Sequence, residues 1–143
     1  MHPHLTLLTL GVRDLDRAVT FYRDGLGWPM STQGDGQDVA FFQLGPVILS
    51  LYRLEHLARD ARLPVPEGGF GGISLAHNVG SRAEVDAAVA AWVAAGGTVT
   101  APAQETFWGG YNAHLADPDG HVWEIAHNPF WELSGEGNVR LGA

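Results

Sequence analysis
The sequence predicts an α+β fold in which two βαβββ modules form a curved, U-shaped mixed sheet around a central cavity. Three observations point to it. The order strand, helix, three strands occurs first in the amino-terminal half and again in the carboxy-terminal half of the 143 residues. The 19 glycines, against a usual share of roughly 7%, sit mostly at segment ends and so mark many tight turns. Asp117-Pro118-Asp119-Gly120, followed by an alternating run from His121 to Asn128, is a complete turn-and-strand signal that ends in a carboxylate, Glu124, among apolar residues.

The first module spans 4–54. Leu5 to Val12 is an apolar, Thr-containing run that suits a strand. Asp14 then offers an N-cap for a helix from Leu15 to about Leu26, closed by Gly25 and Gly27. Leu15, Val19, Tyr22 and Leu26 recur at three- and four-residue spacing and form its apolar face. Strands are expected at Trp28–Thr32, Val39–Leu44 and Val47–Arg53, divided by Gly-rich turns at 34–36 and at Gly45-Pro46. Residues 55–70 read as a linker that begins with a short helical signal and ends in the Pro/Gly stretch Pro64 to Gly69.

The second module spans 71–128. A strand near Gly72–Val79 leads to Ser81 as N-cap and to an Ala-rich helix from Arg82 to Ala95, with Val85, Val89 and Trp92 on its apolar face and Gly96-Gly97 at its end. Strands at Thr98–Thr106, Tyr111–Ala116 and His121–Asn128 complete it, and 129–143 form a tail. One such module leaves a sheet face uncovered, so two are expected to share a core within a single domain, 1–143.

Charge narrows the partners. A net charge of −8 with only 8 Lys and Arg argues against nucleic acid and against an anionic membrane surface, leaving a small molecule or a protein partner. The absence of cysteine removes disulfides, thiolate ligands and a Cys nucleophile. No basic segment followed by an apolar core opens the chain, and no apolar run approaches the roughly 20 residues of a spanning helix. A soluble cytoplasmic protein is the expectation.

Candidate site residues follow from chemistry. An inward-facing Glu124 needs a donor, a cation or a raised pKa. His114, on the preceding strand, is the histidine that could join it as an acid–base partner, a satisfied structural histidine being the competing reading. The turn Phe107-Trp108-Gly109-Gly110-Tyr111 suits an aromatic lid over a flat ligand, or else core or dimer packing. Gln43, Ser50 and Tyr52 are polar groups on apolar strands that suit a pocket lining or a solvated outer face. Arg53 is expected in a surface ion pair with Glu55 or a neighbour.

Several segments, taken in order, carry a resemblance: Leu10-Gly-Val-Arg-Asp14 through Phe21-Tyr22, Gly25-Leu-Gly27, Ala95-Gly-Gly97, Trp108-Gly109, and Asp117-Pro-Asp-Gly120 with Glu124. Over nearly its whole length the chain resembles the vicinal oxygen chelate superfamily, which includes glyoxalase I, bleomycin-resistance proteins, fosfomycin-resistance enzymes and extradiol dioxygenases. The resemblance implies paired modules around a small-molecule site, a homodimer, and a divalent metal (Zn, Ni, Mn or Fe) held by side chains from the first and last strand of each module. Carried over by position, the ligand places fall on Leu7, on Leu49 or Ser50, on Gly72 and on Glu124. Glu124 alone keeps a family-type ligand. If Leu7 and Gly72 face the cavity, His4 and His77 face away, and His121 and His127 lie off the face of Glu124.

The reading that results is a glyoxalase/bleomycin-resistance-like protein that binds a small, partly apolar or aromatic molecule, without the usual complete metal site and with no cofactor expected. The alternatives are a metal-dependent glyoxalase-like lyase, isomerase or dioxygenase, and a nonenzymatic interaction protein. Whether the chain catalyses or only binds is open at this level.

Overall fold
The computed structural model describes residues 1–34 and 37–141. Of the expected turn at 34–36, Asp35 and Gly36 lie outside the described residues, as do the last two residues of the tail. Chain contacts divide the protein into two units, Met1–Gly69 and Phe70–Ala143. Each contains one mixed sheet, and neither sheet is a closed barrel.

In the first unit β1 (Leu7–Val12) leads to α1 (Leu15–Val19), whose N-terminus is capped by the Asp14 carboxylate accepting from the Arg17 amide at 3.0 Å. The same coil continues to Gly25 as a wider π-helical turn, Thr20–Gly25, and the Leu26 amide reaches the Phe21 carbonyl at 2.9 Å. The buried set is Leu15, Ala18, Phe21 and Tyr22, whereas Val19 and Leu26 are only half-buried. The expected apolar face is corrected accordingly, because the wider turn carries residues off the 3.6-residue spacing.

The strand expected at Trp28–Thr32 reduces to one bridge, Met30 to Phe42. Pro29 has no N–H to give a ladder, and the Trp28 amide is already used by the Tyr22 carbonyl at 3.0 Å, so this stretch still wraps the helix end. β2 (Val39–Leu44) and β3 (Val47–Arg53) pair antiparallel, and β1 lies parallel to β3, in the order β1-β3-β2. Alternation sends Leu10, Val12, Leu49, Leu51, Ala40 and Phe42 into the core beneath α1, where Tyr22 and Phe42 have ring centroids 6.1 Å apart.

The stretch read as the start of a linker is α2 (Leu54–Ala61), and it docks on β1 and β3 rather than trailing over the surface. Gly11 permits the approach, since a Cβ there would stand 2.6 Å from Leu54 Cδ1 and 3.2 Å from Leu57 Cδ2. Beyond Arg62, residues 63–70 are irregular and exposed, as the Pro/Gly composition predicts.

In the second unit β4 (Ser74–Asn78), α3 (Arg82–Ala94), β5 (Thr98–Glu105), β6 (Tyr111–Ala116) and β7 (Val122–His127) form a complete βαβββ module. The strand order is β4-β7-β6-β5, with β4 parallel to β7 and the other pairs antiparallel. Val85 and Trp92 of α3 cover Ala113, Leu115, Trp123 and Ile125, all at most 5% exposed, and the Trp92 indole N–H donates to the Ala116 carbonyl at 2.9 Å. Ser81 caps α3 by accepting from the Glu84 amide at 3.2 Å, while Glu84 reaches back to the Gly80 amide. Urea unfolding of Ser81→Ala is therefore expected to show a loss of about 1 kcal/mol with an unchanged denaturant slope; an unaltered midpoint would mean that Glu84 alone holds the cap. Among the described residues no helix is long and apolar enough to cross a membrane.

Candidate functional site
The Asp117–Gly120 turn sets the geometry of the second unit. Asp117 is 4% exposed, and its Oδ1 accepts from the amides of Asp119 and His121, both at 2.9 Å. The Gly120 amide bonds the Asp117 carbonyl at 2.9 Å, and Gly120 takes the positive φ of +86° that the turn requires. Closing the hairpin this way pairs Ala116 with Val122 and therefore His114 with Glu124, directly across β6 and β7. One pair further along the same face, Asn112 Nδ2 donates to Glu124 Oε1 at 2.7 Å. Asn112, His114 and Glu124 are half-buried on the sheet face opposite α3, beside the small side chains of Ala76, Ala116 and Ala126. A carboxylate fixed by an amide through one oxygen presents the other as an acceptor, and the imidazole beside it supplies a titratable donor or acceptor.

Tyr111 lies on the other face. Its hydroxyl donates to Asp86 of α3 at 2.8 Å, which raises the phenol pKa, and Arg82 sits 5.4 Å from its ring centroid. Trp108 folds back on its own turn: a Cβ on Gly110 would fall within the Trp108 ring, and the turn is closed by the Gly110 amide donating to Thr106 Oγ1 at 2.9 Å. Phe107 projects fully into solvent. His77 and His127 pair with Ile125 and Tyr111 respectively, on the face toward α3, where His127 Nδ1 meets the Val79 carbonyl at 3.2 Å.

In the first unit the strand register pairs Leu7 with Ile48 and Thr9 with Ser50. Of the two residues left open at that position, Ser50 shares the face of Leu7, whereas Leu49 is 1% exposed in the core beneath α1. Between this face and α2 is a cavity of about 650 Å³, with Thr9, Ser50, Tyr52, His56 and Leu57 in its walls. Tyr52 donates to Asp60 at 2.8 Å, and that carboxylate raises its pKa. Arg53 pairs with Asp38 at 2.7 Å rather than with Glu55, and His56 Nδ1 meets the second oxygen of Asp38 at 3.1 Å. Gln43 stands apart from these walls, its amide donating to the Gly45 carbonyl at 2.6 Å. Sequence reasoning missed Asp38, His56, Arg59 and Asp60. The signal was the helical spacing of Leu54, Leu57, Ala58 and Ala61, which marks α2 as a docking helix.

At the places that the resemblance assigns to the family's metal, two residues offer a donor side chain. Leu7 offers no donor, and Gly72, at φ +77°, stands in a conformation that a side-chain-bearing residue rarely adopts. Ser50 supplies a hydroxyl and Glu124 the one carboxylate at the four positions, short of the three or four N, O or S ligands of a catalytic site. Among the described residues no group of three or more His, Asp or Glu is placed to hold a metal ion.

The fold has close structural relatives. A glyoxalase-related enzyme from Fulvimarina pelagi superimposes with a TM-score of 0.88 at 34% identity, over 99% of this chain and 100% of that one. A glyoxalase/bleomycin resistance protein/dioxygenase from Nocardioides gives 0.73 at 26% identity, covering 99% of this chain and 91% of that one. Lactoylglutathione lyase from Agrobacterium tumefaciens gives 0.68 at 28% identity, over 92% and 98% of the two chains. No curated protein sequence matches the chain. The model of the Glyoxalase/Bleomycin resistance protein/Dioxygenase superfamily matches residues 3–125, and with the turn, strand orders and helix caps described above the chain belongs to that superfamily.

Proposed function
We propose that this protein binds a small, partly apolar or aromatic organic molecule, with the Glu124 carboxylate as polar anchor and His114 as its neighbour, and that it does so without a complete divalent-metal site. The observation that carries the proposal is the Asn112–Glu124 hydrogen bond at 2.7 Å, which orients one carboxylate oxygen and leaves the other to accept from a ligand hydroxyl or amide. The alanines beside it leave room for an apolar body. If the bound molecule reacts, His114 and Glu124 are the groups available to move a proton. Homodimeric assembly and a cytoplasmic location belong to the same proposal.

The metal-dependent reading draws on the Agrobacterium lactoylglutathione lyase and on the His114–Glu124 adjacency. Two measurements on one preparation separate the readings. Thermal-shift screening with small aromatic and carbonyl compounds is expected to find ligands whose shifts persist in EDTA, and Glu124→Gln is expected to weaken them about tenfold, equivalent to about 1.4 kcal/mol. Elemental analysis showing one tightly held divalent ion per chain, lost in Glu124→Gln, would overturn the proposal in favour of a metalloenzyme.

A further inference from the structure
We infer, building on Glu124 as the polar anchor proposed above, that the ligand of this site is a planar organic cation, an amidinium or guanidinium group carried on an aromatic body. A half-buried carboxylate without a countercharge points to it. Asn112 spends an Nδ2 donor on Glu124 Oε1 at 2.7 Å, which leaves its own carbonyl oxygen and Glu124 Oε2 as acceptors. Among the described residues neither of those oxygens has a partner, and Glu124 makes no ion pair. His114, directly opposite Glu124, is unbonded at both ring nitrogens and adds an acceptor in its neutral form. An amidinium or guanidinium fork carries donors only and reaches these acceptors together.

The second unit cannot supply that countercharge from its own chain. It holds two arginines, Arg82 and Arg140, no lysine, and eight Asp and Glu residues. Arg82 is committed on the α3 side, to Glu105 at 2.6 Å and to the Tyr111 ring, and Arg140 makes no ion pair among the described residues. A field of this sign draws cations toward the unit. Ala76 and Ala101 flank Glu124 and His114 in one cross-strand row, and Ala126 pairs with Asn112, so the face has a shallow floor that suits a flat ring. A ring seated there takes water from Glu124. A neutral head group leaves the carboxylate without a full partner, and a carboxylate head sets like charges together. A cation replaces the lost hydration with charge-assisted hydrogen bonds, about twice as strong as neutral ones. The planar fork suits the floor better than a point charge, because its N–H bonds lie in the plane of the ring.

The test titrates benzamidine, benzamide and benzoate, three probes of one shape and different charge, into the ¹⁵N-labelled full chain. Benzamidine is expected to shift the amides of Ala76, Asn112, His114 and Glu124 along a saturable curve, and to bind at least about tenfold more tightly than benzamide, the gain of one charge-assisted hydrogen bond. Benzoate should give no shift there. Glu124→Gln should bring the preference for benzamidine over benzamide below about threefold, whereas Glu84→Gln, which removes a charge on α3 across the sheet, should leave it within about twofold of the parent. Equal binding of benzamidine and either other probe at those amides would overturn this inference and leave Glu124 standing as the anchor. A preference that survives in Glu124→Gln, or that is lost equally in Glu84→Gln, would mean that general attraction holds the cation, and would overturn it too. No shift at those amides with any probe would overturn both the inference and the anchor role of Glu124.

Discussion
Gly97→Ala is expected to lower the melting temperature by about 10 °C, a loss of about 4 kcal/mol. Gly97 follows α3 and lies against the Trp92 ring; a Cβ there would fall within that ring and 3.0 Å from the Ala116 carbonyl oxygen. Neither neighbour has room to yield. Trp92 is 3% exposed, donates to that same carbonyl at 2.9 Å and packs on Trp123 with ring centroids 5.8 Å apart. Overfilling such a site costs about 1–3 kcal/mol, and displacing the indole leaves a buried N–H and a carbonyl unsatisfied for about 1–3 kcal/mol more. Circular dichroism melting of the variant gives the answer directly. A fall below about 3 °C, equivalent to about 1 kcal/mol, would mean that the indole swings aside freely and that the Trp92–Ala116 bond adds little.

Asp117→Ala is expected to destabilise by about 3 kcal/mol, and Asp117→Asn by less than about 1 kcal/mol. The difference isolates one atom. Asp117 Oδ1 holds the amides of both Asp119 and His121 at 2.9 Å in a residue 4% exposed, so alanine strands two donors, whereas asparagine keeps an acceptor in the same place. Because this turn fixes the β6–β7 register, the alanine variant should also lose whatever ligand affinity depends on Glu124. Urea unfolding of the two variants against the parent decides the matter: equal losses would show that the charge of Asp117, not its geometry, holds the turn.

Much of the fold was legible because its signals are local. Asp14 and Ser81 cap the helices as their side chains predict, and the β6 bounds, Tyr111–Ala116, agree with the alternation read from the sequence. The failures were also local in origin. Trp28–Thr32 has strand-like composition, yet Pro29 and the Trp28–Tyr22 bond keep it out of the ladder. The π turn at Thr20–Gly25 rotated a helix face that a uniform period could not anticipate.

The candidate sites divide along the same line. Glu124 and Ser50 were visible as polar groups in apolar strands, a matter of side-chain type and period two. That His114 stands opposite Glu124 with Asn112 bonded beside it, that Tyr111 turns to α3, and that α2 docks beside Thr9 and Ser50 to wall an open pocket depend on contacts between residues far apart in the chain. Helical hydrogen bonds, caps and tight turns are chosen by neighbours a few residues away, so the chain's letters specify them. Register, face and enclosure are chosen by whichever partner surface buries the most apolar area, and that surface exists only once the strands and helices have come together.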